Sequence, residues 1–412
     1  MNTRQSTQLA LLATAMAVSG YVRTALSPLQ ESIRVSLSLT DNQLALLQGP
    51  AIGIPVTLLS IPLGLLIDRR PRIRLLLAVI AASVLSSLLT SLSSNFSALL
   101  FTRAIAGLSA LAILPLVLSI LPDHFEPDTR GRATMVAIIG QVGGNSAAFA
   151  LGGTLLGWAG SRADAWQWAT FWLIVPLVAL LPIMLFLREP TRVTEATTFP
   201  PLGDIWDRLR PEWDTIVSLF AGIICAEVAI GAIIIWAAPM FSRRFLMGPE
   251  QVGGIMAVGM LISGLSGPFI GGNLADLCQR FGGPSRTISV LAAMALATIP
   301  TGLFAFMSQA TLAITLLLAT MTILLAIVAM GMALFTIVVP PELRGLCMSL
   351  LVAAEILFAL AIAPPLVSVL SGILGGLPMI GQALSTVCVV AGLFATTSFA
   401  FGRKKIQCVE AH

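Results

Sequence analysis

The sequence predicts an all-α integral membrane protein, with twelve transmembrane helices in two pseudo-symmetric bundles of six. Three observations predict it. Apolar runs of bilayer-spanning length follow one another along the whole chain. The basic residues fall almost wholly on one side of the membrane that those runs imply. The second half of the chain repeats features of the first.

Composition sets the class. Of 412 residues, 10% are charged and 57% hydrophobic, whereas a soluble domain carries roughly 25% charged residues. Too little charged surface is available for a soluble enzyme, a nucleic-acid-binding protein or a disordered scaffold. The net charge of +4 is small and dispersed, so no nucleic-acid partner is expected. The five cysteines (Cys225, Cys278, Cys347, Cys388 and Cys408) show neither metal-ligand spacing nor a CxxC pair. They read as small apolar residues in or near helices. The two histidines, His124 and His412, argue against a histidine-based catalytic or zinc site. No cofactor or metal is expected, and no GxxxxGK[ST] loop for direct ATP drive occurs.

A helix needs about 20 apolar residues to cross a bilayer. The runs that qualify are Gln8–Leu26, Leu44–Ile67, Ile73–Leu92, Phe96–Leu121, Ala133–Ala159 and Trp166–Leu187, then Thr215–Phe241, Val252–Leu274, Ile288–Met307, Ala310–Val339, Leu346–Leu370 and Ile380–Phe401. They are continuously apolar, not alternating, which excludes a membrane β-barrel. Arg4 and the small-residue run Ala13–Ala17 give the first run a superficial likeness to a signal peptide. It reads as a span because the second half contains its counterpart.

The basic residues test the count. With both termini in the cytoplasm, seventeen of the 23 Lys and Arg fall on the cytoplasmic side. Only Arg34, Arg162, Arg243 and Arg244 fall outside, and Arg23 and Arg103 lie within spans. This is a strong positive-inside signal. One span more or fewer would invert every later loop and destroy it.

The longest hydrophilic stretch, 188–214, reads as a cytoplasmic linker between an N-terminal bundle (1–187) and a C-terminal bundle (215–412). An offset of 208 maps Gln43 onto Gln251, Gly64 onto Gly272, Asp68 onto Asp276 and Arg72 onto Arg280. A further echo links Arg130-Gly131 to Arg344-Gly345. Two six-helix halves related by an axis along the membrane normal are a transporter architecture, with the substrate held between them at mid-depth.

The segment Gly64-Leu-Leu-Ile-Asp68-Arg69-Arg70-Pro71-Arg72 resembles the G-x-x-x-D-R/K-x-G-R/K-R/K loop of the major facilitator superfamily. Gly64, Asp68, Arg69 and Arg72 match, and Pro71 and Ile73 depart from the pattern. Gly272 and Asp276 begin the second copy. The resemblance implies a gate at the cytoplasmic rim, in which glycine permits close helix approach and the aspartate holds cations or helix N-termini. Arg103-Ala-Ile-Ala-Gly107 resembles the family's R-x-x-x-G motif, whose arginine is linked to proton coupling in some members. The span-five glycines Gly140, Gly144, Gly152 and Gly153 lack the Gly-Pro found in antiporters.

The first half looks most like the spinster-like and related organic-anion carriers. The likeness rests on Leu29–Ile33, Leu39–Leu44, the Trp166–Phe171 segment and Arg188-Glu189-Pro190. Two acids of the spinster-like pattern are missing: Val22 stands where the first-helix aspartate is expected, and Ala110 where the fourth-helix glutamate is expected.

An ionised side chain at mid-bilayer costs at least ~2.5–3.5 kcal/mol, so each one calls for an account. Arg23 and Arg103 lie on helices that line the cavity in this superfamily, with no acid of the first half at similar depth. They are the candidate holders of an anionic group. Glu227 is the first candidate for a proton carrier, and Glu355 the second. Gln141 and Asn145, at i and i+4 on span five, can reach the substrate. Tyr21 can donate a hydrogen bond near Arg23. Trp236 reads either as a substrate-stacking side chain or as an interface anchor.

The expected function is secondary active transport of a small or medium organic solute, amphiphilic and anionic, by proton-coupled alternating access. A proton-coupled drug or metabolite efflux pump is the alternative, and a membrane sensor or integral-membrane enzyme a third reading. The expected setting is the cytoplasmic membrane of a bacterium, with the chain acting as a monomer in the lipid bilayer.

Overall fold

The computed structural model describes residues 3–189 and 209–410, and all regular structure among them is helical. Most of the expected linker, 190–208, lies outside the described residues, and with it Arg192 and Arg208. So does His412, and the side chains of Arg4, Asp68, Lys404, Lys405 and Cys408 are likewise undescribed.

Local chemistry sets most helix ends. Helix α1 (Thr3–Thr24) leads through a 3₁₀ turn, with Pro28 inside it, into the short α2 (Gln30–Ser36). Helix α3 (Asp41–Gln48) begins on a capping box. Thr40 Oγ1 accepts from Gln43 N at 3.2 Å, and Gln43 Oε1 accepts from Thr40 N at 2.9 Å. The expected second span breaks at Gly49, after which Pro50 opens α4 (Pro50–Arg69). Helix α5 (Arg72–Ser91) starts after Pro71. Helix α6 (Phe96–His124) is capped by Asn95 Oδ1, which accepts from Ala98 N at 2.9 Å. Helix α7 (Pro127–Ala159) stops at Gly160, whose φ of +59° suits glycine. Helix α8 is Ala165–Met184.

The later helices are α9 (Trp213–Arg244), α10 (Pro249–Thr301), α11 (Ala310–Val338), α12 (Arg344–Ile356), α13 (Ala363–Leu374) and α14 (Ile380–Glu410). A π-helical segment, Leu357–Ile362, joins α12 to α13. Eleven helical stretches among the described residues are long and apolar enough to cross a bilayer. One of them, Pro249–Phe306, has 58 residues. At 1.5 Å per residue it is about 87 Å long, nearly three times the ~30 Å hydrocarbon core. Gly283, at φ 60° and ψ −156°, breaks it, and the eighth and ninth expected spans lie on either side. The twelve expected crossings are thus recovered.

Many large apolar side chains are exposed. Phe101 (65%), Phe186 (72%), Phe269 (73%) and Ile373 (77%) are largely exposed in the isolated chain. Water would penalise these side chains and lipid accepts them.

The described residues form two compact units. One comprises 3–189 with Phe241–Leu261, and the other 209–240 with 262–410. Phe241–Leu261, expected in the C-terminal bundle, groups with the first unit because Gly253 meets Gly153 backbone to backbone and Arg243 pairs with two acids there.

Each unit uses the same packing devices. In the first, α1 and α7 touch main chain to main chain: a Cβ on Gly140 or Gly144 would fall well inside 3.0 Å of Ala13 O or Ala17 O. In the second, Gly231 of α9 meets Ala359 O of the π segment in the same way. Gly107 seats α6 on Ile52 of α4, and Gly271 seats α10 on Ala326 of α11. Without a hydrophobic drive between helices in lipid, such close contacts carry the association. Arg130 Nε donates to Phe125 O at 2.9 Å and Arg344 Nε to Val339 O at 3.3 Å. In each case the arginine folds back on the carbonyl five residues before it.

Candidate functional site

The first unit buries a cation. Arg103 on α6 is 2% exposed. Its Nη2 donates to Arg23 O and to Gln48 Oε1, each at 3.1 Å, and Gln48 Nε2 donates onward to Gln30 Oε1 at 3.2 Å. The Nε–H is buried without a partner. Among the described residues, Arg103 has only neutral oxygens as hydrogen-bond partners and forms no ion pair. Arg103 lines a small cavity with Tyr21, Ser87, Thr90, Thr170 and apolar side chains of α1, α6 and α8.

The other candidates of this unit have distinct surroundings. Tyr21 is buried, and its hydroxyl donates to Leu173 O at 3.0 Å. Arg23 is half-buried, and its carbonyl is held by Arg103. Gln141 and Asn145 are half-buried on α7, where Gly20 lets α1 lie against their backbone. Asn145 Oδ1 is buried without a hydrogen-bond partner. The structure therefore brings Arg103, Tyr21 and the Arg23 carbonyl together, with Gln141 and Asn145 on the α1–α7 seam.

The second unit buries acids. Glu355 on α12 is 9% exposed, and its Oε1 has no hydrogen-bond partner. Glu227, half-buried on α9, stands within electrostatic reach of it. In the sequence these two are independent candidates, and the fold makes them a pair. Gly231 and Ala359 bring the helices together one turn further on, and Trp236 Nε1 donates to Pro364 O at 3.1 Å beyond that. Trp236 is fully buried with its only donor satisfied. Its place is in the α9–α13 packing. The π segment begins two residues after Glu355, and such segments recur at functional sites.

The cytoplasmic motif differs from its expected form. A Cβ added to Gly64 or to Gly272 would meet no heavy atom within 4 Å, so neither glycine makes a close helix contact. Gly20, Gly107, Gly140, Gly144, Gly231 and Gly271 make those contacts instead. Arg69 and Asp276 are exposed. Arg72 is 6% exposed and pairs with Asp123 on α6. Its guanidinium also donates to Ser119 O. Glu189 caps α5, accepting from Arg72 N at 2.9 Å and Ile73 N at 2.8 Å. Arg72 thus ties α5 to α6 inside one unit.

A charge network that the sequence did not disclose lies at the other end of this unit. Arg243 donates to Asp41 through Nη1 and Nη2, each at 2.8 Å, and to Glu31 Oε2 through Nε at 2.9 Å. Arg34 holds the other oxygen of Glu31. The signal available was two acids, Glu31 and Asp41, on a side nearly empty of basic residues. Their partner lies about two hundred positions away. By contrast, Arg162 and Asp164 form an exposed loop pair whose hydrogen bond holds the Asp164 carboxyl below its usual range.

The family model described as Major Facilitator Superfamily matches residues 12–354. The 3-(3-hydroxy-phenyl)propionate transporter of Escherichia coli (strain K12) is 28% identical over 236 residues, 57% of this chain and 53% of that protein. The quinolone resistance protein NorB of Staphylococcus aureus (strain bovine RF122 / ET3-1) is 30% identical over 175 residues, 40% of this chain and 35% of that protein. The chain therefore spans about half the length of the first relative and about a third of the second. Among solved structures, a bacterial homologue of the human lysosomal transporter Spinster, in an inward-facing and occupied conformation, matches with a TM-score of 0.82 at 18% identity, covering 99% of this chain and 98% of that one. The nucleoside transporter NupG matches with a TM-score of 0.74 at 12% identity, covering 97% and 99%.

Proposed function

The chain belongs to the major facilitator superfamily, and from that premise we propose that it is a secondary active transporter. Its cargo in this reading is a small to medium amphipathic organic anion, moved by alternating access and coupled to protons. One observation carries the reading: the deep charges are segregated by sign. Arg23 and Arg103 belong to the first unit, Glu227 and Glu355 to the second.

Two arginines of one unit, linked by the hydrogen bond from the Arg103 guanidinium to the Arg23 backbone, offer cations to an anionic group, and arginine suits a carboxylate or phosphate bidentately. Arg23, the less buried of the two, contacts the cargo, while Arg103 behind it holds the Arg23 carbonyl and so fixes the backbone that carries Arg23. The aromatic carboxylate in the name of the Escherichia coli relative supports this class of cargo. On the other side, two carboxyls within electrostatic reach cannot both ionise cheaply in a low-dielectric setting, so the pair can take up and give off one proton. A proton moving inward gains ~2.3 kcal/mol per 100 mV, enough to concentrate a solute substantially. The one-sided distribution of basic residues supports placing both termini in the cytoplasm, and the bacterial relatives support a bacterial inner membrane.

Purified protein in proteoliposomes tests the reading with 3-phenylpropionate as probe. An inward proton gradient should drive its uptake, Arg23→Gln should abolish uptake, and Glu227→Gln should leave exchange intact but independent of the gradient. Equal transport of the corresponding amine or alcohol by the wild type would overturn the anion assignment. The likeness to NorB favours a second reading, efflux of lipophilic compounds. Uptake into everted vesicles, with none into right-side-out cells, would select it.

A further inference from the structure

The Arg103 cavity is too small for the proposed cargo and has the chemistry of a different ligand. It offers about 20 Å³, and roughly 10–15 Å³ holds one water-sized particle. One monatomic ion or one water fits, and a carboxylate with its carbon skeleton does not. The wall presents a buried guanidinium whose Nε–H has no partner. Around it stand four hydroxyls, those of Tyr21, Ser87, Thr90 and Thr170.

Water can accept from Nε–H but leaves the charge of Arg103 uncompensated. That charge meets only neutral oxygens, those of Arg23 and Gln48, and arginine does not escape by deprotonating. A buried cation is tolerable when an anion pairs with it. Three of the hydroxyls also cost little to redirect. Ser87, Thr90 and Thr170 each donate to the carbonyl four residues earlier, on their own helix, and those carbonyls already accept the helical N–H. Each hydroxyl can turn inward as a donor without stranding its former acceptor.

We propose that this cavity is a halide site, holding one chloride as the resident counter-ion of Arg103. The ion accepts from Arg103 Nε–H and from the hydroxyls of Ser87 and Thr90 on α5 and Thr170 on α8. It thereby ties α5, α6 and α8 together inside the first unit. The site is separate from the cargo position assigned to Arg23, and its occupant stays in place while cargo passes.

The test needs no cargo. The full-length protein in detergent is melted in sodium gluconate at fixed ionic strength while sodium chloride or sodium bromide replaces it. The expected result is a saturable rise in the midpoint with either halide. Arg103→Gln should abolish the rise. If that variant does not fold, the near-isosteric Thr90→Val and Ser87→Ala carry the test, and each should shift the half-saturating halide concentration upward at least tenfold. Equal midpoints in gluconate and chloride would overturn the proposal and leave a water in the cavity. A linear, non-saturating trend shared by Thr90→Val and the wild type would do the same, as a general salt effect. Failure of phenylpropionate transport leaves these outcomes untouched, so the two readings fail separately.

Discussion

Removing the Arg243 guanidinium is the perturbation whose size the structure fixes best. Three hydrogen bonds of 2.8–2.9 Å join it to Asp41 and Glu31. The side chains of Arg243 and Asp41 are only 12% and 11% exposed. Breaking a buried pair by deleting one partner costs roughly 3–5 kcal/mol. The small remaining exposure lets water reach the stranded Asp41 carboxylate, and Arg34 still neutralises Glu31. Arg243→Gln should therefore destabilise the first unit by about 2–3 kcal/mol. Asp41→Asn should cost less, about 1–2 kcal/mol, because Arg243 keeps Glu31. The double variant should cost less than the sum, with a coupling of at least ~1 kcal/mol. Unfolding in mixed detergent micelles, followed by the fluorescence of the seven tryptophans, measures all four corners of the cycle. A coupling within error of zero would refute the argument that these groups are desolvated together. As an internal control, Asp164→Asn, in a fully exposed ion pair, should leave the transition unmoved.

Gly144→Val should prevent accumulation of folded protein, since its branched side chain would meet the α1 backbone at Ala17 and no side chain can yield there, whereas Gly64→Ala, in open space, should be neutral or gain up to ~1 kcal/mol from helix propensity; size-exclusion profiles compare the two. Arg72→Gln removes the guanidinium from Asp123, whose side chain is only 4% exposed, so it should lower stability by about 3 kcal/mol, while Glu189→Gln, which keeps an acceptor for the α5 N-terminus, should cost about 1 kcal/mol, both read by unfolding in mixed micelles. Under the proposed coupling, Glu355→Gln, like Glu227→Gln, should uncouple transport from the proton gradient, since the two carboxyls lie within electrostatic reach; a gradient dependence that survives in either variant counts against the proposal.

How far each feature was legible depends on its range in sequence. Helices are local, so apolar length placed most of them. The helical stretch Pro249–Thr301 breaks at Gly283, between the eighth and ninth expected spans. The deep charges were legible because lipid makes any charge conspicuous: Arg23, Arg103, Glu227 and Glu355 stand out against their neighbours. Their surroundings were not legible. Nothing local shows that Arg103 shares its cavity with Tyr21 and reaches Gln48 and the Arg23 carbonyl, or that Trp236 donates to Pro364. Arg72 matched a gate motif and serves as a tie to Asp123 within one unit.

That this chain lives in a membrane, how many times it crosses and which residues carry charge at depth all follow from the order of its amino acids. Bilayer thickness and the cost of burying charge act on every residue irrespective of its neighbours. Which charges meet is a property of the folded molecule. The pairing of Glu227 with Glu355, the isolation of Arg103 and the clasp of Arg243 on Asp41 and Glu31 depend on ångström-scale helix contacts. Those contacts are set by which glycine faces which backbone, and no spacing along a single chain encodes that.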